Sequence, residues 1–166
     1  MTSYFPTTVT ASTEVTLAAL ERLGAAIKQN SSGKGNGRAQ PLGIHLEGPF
    51  ISHARCGVHP TEHIQPPSLE LFDRLWQAAQ GQVRVMTVAP ELPGAASLIA
   101  EAVRRGVCVS LGHSDSGLQA VDAAIHAGAR HATHTFNAMR PLDHREPGIL
   151  GAVLNRTELT ADIIAD

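Results

Sequence analysis

The sequence predicts a parallel α/β sheet, and three observations carry that expectation. Strand-like and helix-like segments alternate along the chain. Six short runs are rich in apolar and β-branched residues and gather polar residues at their C-terminal ends. The last three of these runs start roughly 23 to 28 residues apart, the size of one strand-plus-helix unit. Near-continuous apolar runs suit parallel strands covered on both faces. Periodicity alone admits an open sheet and a closed barrel equally.

The first run, 2–10 (TSYFPTTVT), reads as a strand. Ser12 or Thr13 caps the helix that follows, with Glu14 in its first turn beside the positive end of the helix dipole. Leu17, Leu20, Leu23 and Ile27 recur at helical spacing and mark its buried face. Residues 30–40 (NSSGKGNGRAQ) form a polar, glycine-rich surface loop. LGIHLEGPF is the second strand. A long loop then leads to a helix starting at Ser68, with Leu69, Phe72 and Trp76 on one side. VRVMTVAPE is the third strand, followed by a helix through Ile99 and Val103 that ends near Gly106. VCVSLGHS is the fourth, and the next helix carries Leu118, Val121 and Ile125 and stops at Gly128. HATHTFNAM and LTADIIAD are the fifth and sixth strands.

Composition excludes several classes. The 166 residues are 43% hydrophobic and 4% aromatic, with 13 basic against 15 acidic residues and no basic stripe, so no nucleic-acid surface is expected. No apolar run approaches the roughly 18 residues of a membrane span. The N-terminus lacks the basic and apolar regions of a secretory signal. Cys56 and Cys108 make no disulfide framework. A soluble cytoplasmic protein is the expectation.

The chemistry is expected at strand C-terminal ends, where sheets and barrels of this class place their sites. Glu47 ends IHLEGP, His113 ends LGHS and His134 lies in HATHTFNAM. One carboxylate and two imidazoles make a protein ligand set for a catalytic divalent metal that leaves a place for water. Any one of the three alone is more often a hydrogen-bonded structural residue; three together at three strand ends bring the two readings level. His45 shares a strand face with Glu47 and is a candidate supporting partner. His126 reads as solvent-exposed, His131 as near the opposite end of the sheet, and His53, His63 and His144 as loop residues. Phe136-Asn137-Ala138-Met139 can offer an amide side chain and backbone N–H groups. Arg145 in REPG offers a fork for phosphate or carboxylate, and RCGVH (55–59) is a third candidate loop. Each is unspecific alone, and an ordinary surface turn with an Arg–Glu pair is the favoured reading of REPG taken by itself.

Taken together, HLEGPF, RCGVH, TVAPE, LGHSDS, ATHTFNAM, REPGILGA and DIIAD resemble, in order and spacing, the N-acetylglucosamine-6-phosphate deacetylases of the amidohydrolase superfamily. The resemblance runs from TSYFPT to DIIAD. It implies an α/β fold that is part of a TIM (β/α)8 barrel, with about six parallel strands present. Residues 1–166 would then be the central part of the barrel domain, the first strand, the last strand and a β-sandwich domain lying outside it. It implies Glu47, His113 and His134 as ligands of a divalent metal, zinc first and iron, manganese or cobalt as alternatives. Val58, His59, Asn137, Ala138 and Arg145 are implied substrate contacts. The implied reaction is hydrolysis of the acetamide of N-acetyl-D-glucosamine 6-phosphate to D-glucosamine 6-phosphate and acetate, in amino-sugar catabolism. The full-length form is expected as a homodimer. The catalytic aspartate of the family is expected beyond Asp166, since Asp115 falls in the loop after His113 and Asp162 inside a strand. The chain alone is therefore expected to be inactive. Two other readings stay open: a cyclic amidase such as a dihydroorotase, disfavoured because no His-x-His is present and TVAPE holds Glu91 where a lysine would stand, and a non-catalytic remnant that binds metal or sugar phosphate.

Overall fold

The computed structural model describes residues 2–30 and 39–165. Most of the glycine-rich segment expected as a loop, 31–38, lies outside the described residues. The elements, in order, are β1 (Ser3–Tyr4), β2 (Thr7–Thr8), α1 (Thr13–Asn30), β3 (Gln40–Pro41), β4 (Ile44–Glu47), α2 (Leu69–Ala78), β5 (Val83–Val88), α3 (Ala95–Arg104), β6 (Cys108–Leu111), α4 (Leu118–His126), β7 (His131–Ala132), α5 (Gly148–Asn155) and β8 (Thr160–Ala161).

Six strands form one sheet in the order β2-β4-β5-β6-β7-β8, every pair parallel. Each strand lies beside its predecessor and the order never reverses. Because crossovers between parallel strands are right-handed, this order sends every connecting helix to the same face. That is the arrangement of a barrel, since a doubly wound sheet needs a reversal point. The sheet also curls. Flat neighbours lie about 4.8 Å apart, which would separate β5 from β7 by about 10 Å. Yet Thr87 Oγ1 on β5 reaches Thr133 Oγ1, just past β7, at 2.8 Å across β6. The side chains of the concave face therefore converge on a common axis, as in part of a (β/α)8 barrel.

The helices are placed by their apolar faces. Leu20 and Ile27 of α1 are buried as expected, and Ser12 Oγ accepts from the Val15 N–H. The Ser68 hydroxyl caps α2 by accepting from the Leu71 N–H at 3.1 Å. Phe72 and Leu75 of α2 are sealed in the core, whereas Leu69, expected beside Phe72, stands half exposed on the first turn. Ile99 is buried as expected, while Val103 is partly exposed. The Arg105 guanidinium lies over the rings of Phe72 and Trp76, joining the end of α3 to α2.

Four expectations are corrected. The single strand over 2–10 is two, β1 paired to β3 and β2 paired to β4. The switch falls at Pro6, which has no N–H for the ladder, while its carbonyl accepts from the His45 N–H. HATHTFNAM contributes only His131–Ala132 as strand, because His134, Phe136 and Ala138 take positive φ and turn the chain out of the sheet. LTADIIAD contributes only Thr160–Ala161, so Asp162 follows the strand instead of lying within it. Helix α5 was not foreseen.

Candidate metal centre

The ends of three strands bring Glu47, His113 and His134 together. Glu47 is the last residue of β4, and each histidine lies two residues past its strand. Both histidines have left-handed backbone, φ 48° for His113 and 33° for His134. Such φ is uncommon for a residue with a Cβ and tends to occur where a site requires it. His113 Nε2 lies 3.0 Å from Glu47 Oε1, His134 Nε2 lies 3.1 Å from the same oxygen, and the two nitrogens are 2.9 Å apart. The two rings meet edge to face with centroids 4.7 Å apart.

Tautomers follow from the partners. His113 Nδ1 lies 3.0 Å from the carbonyl oxygen of Arg55, which can only accept. Nδ1 therefore carries a hydrogen, and Nε2 is the atom turned toward Glu47. A ligating histidine commonly donates its other N–H to a carbonyl in this way. His134 Nδ1 is buried and has no hydrogen-bond partner among the described residues. Burial alone would raise the Glu47 carboxyl, but the His113 and His134 imidazoles in contact with it overcome burial and hold the group far below the usual carboxylate range. Burial likewise opposes charge on His134, yet its hydrogen bond and attraction to Glu47 push its pKa up on balance.

A metal ion fits this donor set. Two ligand atoms bound to one ion at about 2.0–2.1 Å lie roughly 2.9–3.4 Å apart for the usual bond angles. The three measured separations fall within that span without any side chain moving. No other group of three His, Cys, Asp or Glu side chains among the described residues converges in this way.

The surrounding loops are held by ionic contacts. Asp115 accepts from Arg55 at 2.8 Å and from Arg140 at 3.1 Å, tying the loop after β4 to those after β6 and β7. Glu91, after β5, accepts from the Ser114 hydroxyl and the Asp115 N–H, each at 2.7 Å. Sequence reasoning gave Arg140 no role, and its signal, a lone arginine after FNAM, is too weak to identify one. Glu146 of REPG does not pair with Arg145; it accepts from the Leu118 N–H at 2.7 Å and so caps α4.

The expected substrate residues are placed unequally. Val58 is 87% exposed, and Asn137 is also exposed. The Ala138 carbonyl accepts from the Ser114 N–H, beside His113. A Cβ placed on Gly57 would stand 3.2 Å from the His113 ring and 3.7 Å from Ala138, so the RCGVH and FNAM loops close on the triad together. His59 is buried, not open to solvent. Its Nδ1 is engaged by the Thr10 N–H and hydroxyl, and its ring meets that of His113 at 4.5 Å. Arg145 is exposed, with its backbone N–H bound to Asp143 and no ion-pair partner among the described residues. His45, expected on the strand face of Glu47, engages Thr87 and Thr7 through its ring nitrogens. His126 is exposed and His144 lies in a loop, both as expected, and both cysteines are free. The Asp162 carboxylate accepts from the His134 N–H and contacts His131 Nε2. This places His131 near the Asp162 carboxylate.

Comparison with known proteins decides the relationship. No family model matches the chain. An N-acetylglucosamine-6-phosphate deacetylase of Lysinibacillus sphaericus is 38% identical over 166 residues, covering 99% of this chain and 41% of the relative. The crystal structure of the Mycobacterium smegmatis N-acetyl-D-glucosamine-6-phosphate deacetylase matches with a TM-score of 0.89 at 36% identity, over 98% of this chain and 40% of that one. The chain is homologous to a part of the N-acetylglucosamine-6-phosphate deacetylases. It spans about two fifths of the length of these deacetylases. A deacetylase of Escherichia coli O157:H7, named for N-acetylgalactosamine 6-phosphate, is 38% identical over 164 residues, covering 99% of this chain and 42% of the relative. The deacetylase match takes in β2 through β8, so the triad and its loops lie within the shared region. Among the described residues no helix is long and apolar enough to cross a membrane.

Proposed function

We propose that the chain carries the metal-binding part of a site that hydrolyses the acetamide of N-acetyl-D-glucosamine 6-phosphate, giving D-glucosamine 6-phosphate and acetate in amino-sugar catabolism. The convergence of Glu47, His113 and His134 within a deacetylase-related chain carries this reading. A Mycobacterium smegmatis aspartate-to-alanine deacetylase in complex with N-acetyl-D-glucosamine-6-phosphate, 37% identical with a TM-score of 0.86, supports the substrate class.

Glu47, His113 and His134 would hold one divalent cation, zinc being the first choice for this donor set and iron, manganese or cobalt also compatible. Such an ion polarises an amide carbonyl and makes water acidic enough to supply hydroxide near neutral pH. The chain's own residues do the rest. Arg55 fixes the His113 tautomer through its carbonyl. Val58, Asn137 and Ala138 line the approach to the triad, with His59 behind them, and Arg145, exposed and without an ion-pair partner among the described residues, offers a cation for a phosphate. The leaving amine must be protonated as the C–N bond breaks. Asp115 is held by two arginines and so is not free to serve. The acid is assigned to an aspartate outside these 166 residues, in a cytoplasmic barrel enzyme that acts as a homodimer.

Equilibrium binding of N-acetyl-D-glucosamine 6-phosphate to the zinc-loaded chain tests the reading. Binding should require the metal and weaken by about tenfold in Arg145→Ala, the scale of one lost charge-assisted hydrogen bond. No binding, or tighter binding of the galactose epimer, overturns the substrate assignment. Acetate release by the isolated chain at an ordinary enzymatic rate overturns the placement of the acid.

A further inference from the structure

Beneath the triad lies a row of side chains that the proposed chemistry leaves unused. Ser110 Oγ is 2.5 Å from Thr133 Oγ1, Thr133 Oγ1 is 2.8 Å from Thr87 Oγ1, and Thr87 Oγ1 is 2.8 Å from His45 Nε2. The row runs across the strands that carry the triad. Thr133 precedes His134, Thr87 is the cross-strand partner of Glu47, and Ser110 lies on β6 below His113. Ser110 and Thr87 are fully buried and Thr133 is nearly so.

Counting hydrogens fixes the direction of the row. Three hydroxyls carry three hydrogens, but only two contacts join them to one another. The third hydrogen must leave the set, and the acceptor available among the described residues is His45 Nε2. A buried hydroxyl hydrogen without an acceptor would be costly. Nε2 must therefore accept, and the hydrogen of the neutral ring sits on Nδ1, toward Thr7 Oγ1 at 3.4 Å. The Thr7 hydroxyl is free to receive it because its own hydrogen points to the Phe5 carbonyl at 3.3 Å. Every link then runs one way, from Ser110 through Thr133 and Thr87 to His45.

We propose that His45 is a positioning residue for the metal centre: as the terminal acceptor of the Ser110–Thr133–Thr87 row, it locks the strand ends that present Glu47, His113 and His134. The proposal rests on the metal reading given above. Without an acceptor at position 45, one buried hydroxyl must turn away from the row, and the strand ends lose a shared restraint. An amide at position 45 restores the acceptor, while an aliphatic side chain of similar size does not.

Two measurements test this on the purified protein. The nitrogen-15 shifts of the histidine rings should show His45 with its hydrogen on Nδ1; a hydrogen on Nε2 overturns the row as drawn. Zinc affinity, measured beside the thermal unfolding midpoint, should fall by about 10- to 100-fold in His45→Leu, as for other residues that support metal ligands. His45→Gln should recover most of that loss, and the recovery should not follow the midpoint. A His45→Leu protein that binds zinc like the wild type, or a His45→Gln protein as impaired as His45→Leu, overturns the positioning role. Glu47→Gln separates the two layers of the argument. If wild type and Glu47→Gln bind zinc equally, the metal reading and the positioning role both fall. If Glu47→Gln loses zinc and His45→Leu keeps it, only the positioning role falls.

Discussion

Gly48, the residue after Glu47, is where local backbone geometry bears most directly on the site. Its φ is 77°, and a Cβ built there would stand 2.0 Å from Thr10 Oγ1. Gly48→Ala therefore imposes two costs. Left-handed backbone in an alanine costs about 1–2 kcal/mol. Relieving the overlap means swinging the Thr10 hydroxyl off His59 Nδ1, where it now sits at 2.8 Å, and losing a buried hydrogen bond adds about 1–2 kcal/mol. The expected destabilisation is about 2–4 kcal/mol by urea unfolding. A double-mutant cycle with Thr10→Ala separates the parts. In that background the overlap is gone and the hydrogen bond already lost, so Gly48→Ala should cost only its backbone share, leaving a coupling of about 1 kcal/mol or more. Additivity within about 0.5 kcal/mol would refute the steric argument, and a small effect of Gly48→Ala alone would refute the backbone argument as well.

Other perturbations should follow the same logic. Asp115→Ala unpairs Arg55 and Arg140, whose side chains are about one third exposed; stability should fall by about 1 kcal/mol, and high salt should narrow the difference from wild type. The Glu101 carboxyl is held down to about 2 by hydrogen bonds from Arg104 and Arg105. Because its folded pKa is depressed, its contribution is present above the unfolded value of 4.5 and is lost as pH falls toward about 2. Glu101→Gln should flatten the acid limb of the unfolding midpoint in that window, and an unchanged limb would contradict the pairing.

Much of the fold is legible because its signals are local. Ser68 announces the start of α2, Gly106 and Gly128 follow the ends of α3 and α4, and the βα alternation yields six parallel strands in sequence order. Helix α5 escapes because GILGAVLN is apolar on nearly every side, so it has no amphipathic period, and it follows a proline with no Ser, Thr, Asp or Asn side chain capping its start. The length of β7 escapes for a different reason. HATHTFNAM has the composition of a strand, but positive φ at three of its non-glycine residues is set by the loops packed around it. The triad is legible as chemistry at strand ends, whereas its convergence depends on the curl of the sheet, which no short window encodes. The hydroxyl row beneath it is written in common residues, Ser110, Thr87 and Thr133, and only the spacing across three strands gives them meaning.

Glu47, His113 and His134 are assigned together as one metal centre. Zinc content per chain, measured after equilibration and exhaustive dialysis for wild type and His134→Ala, tests it most directly. The wild type should hold about one equivalent, as for a single catalytic site, and the variant little. A wild-type chain that retains no zinc, or a His134→Ala chain that retains as much, would contradict it.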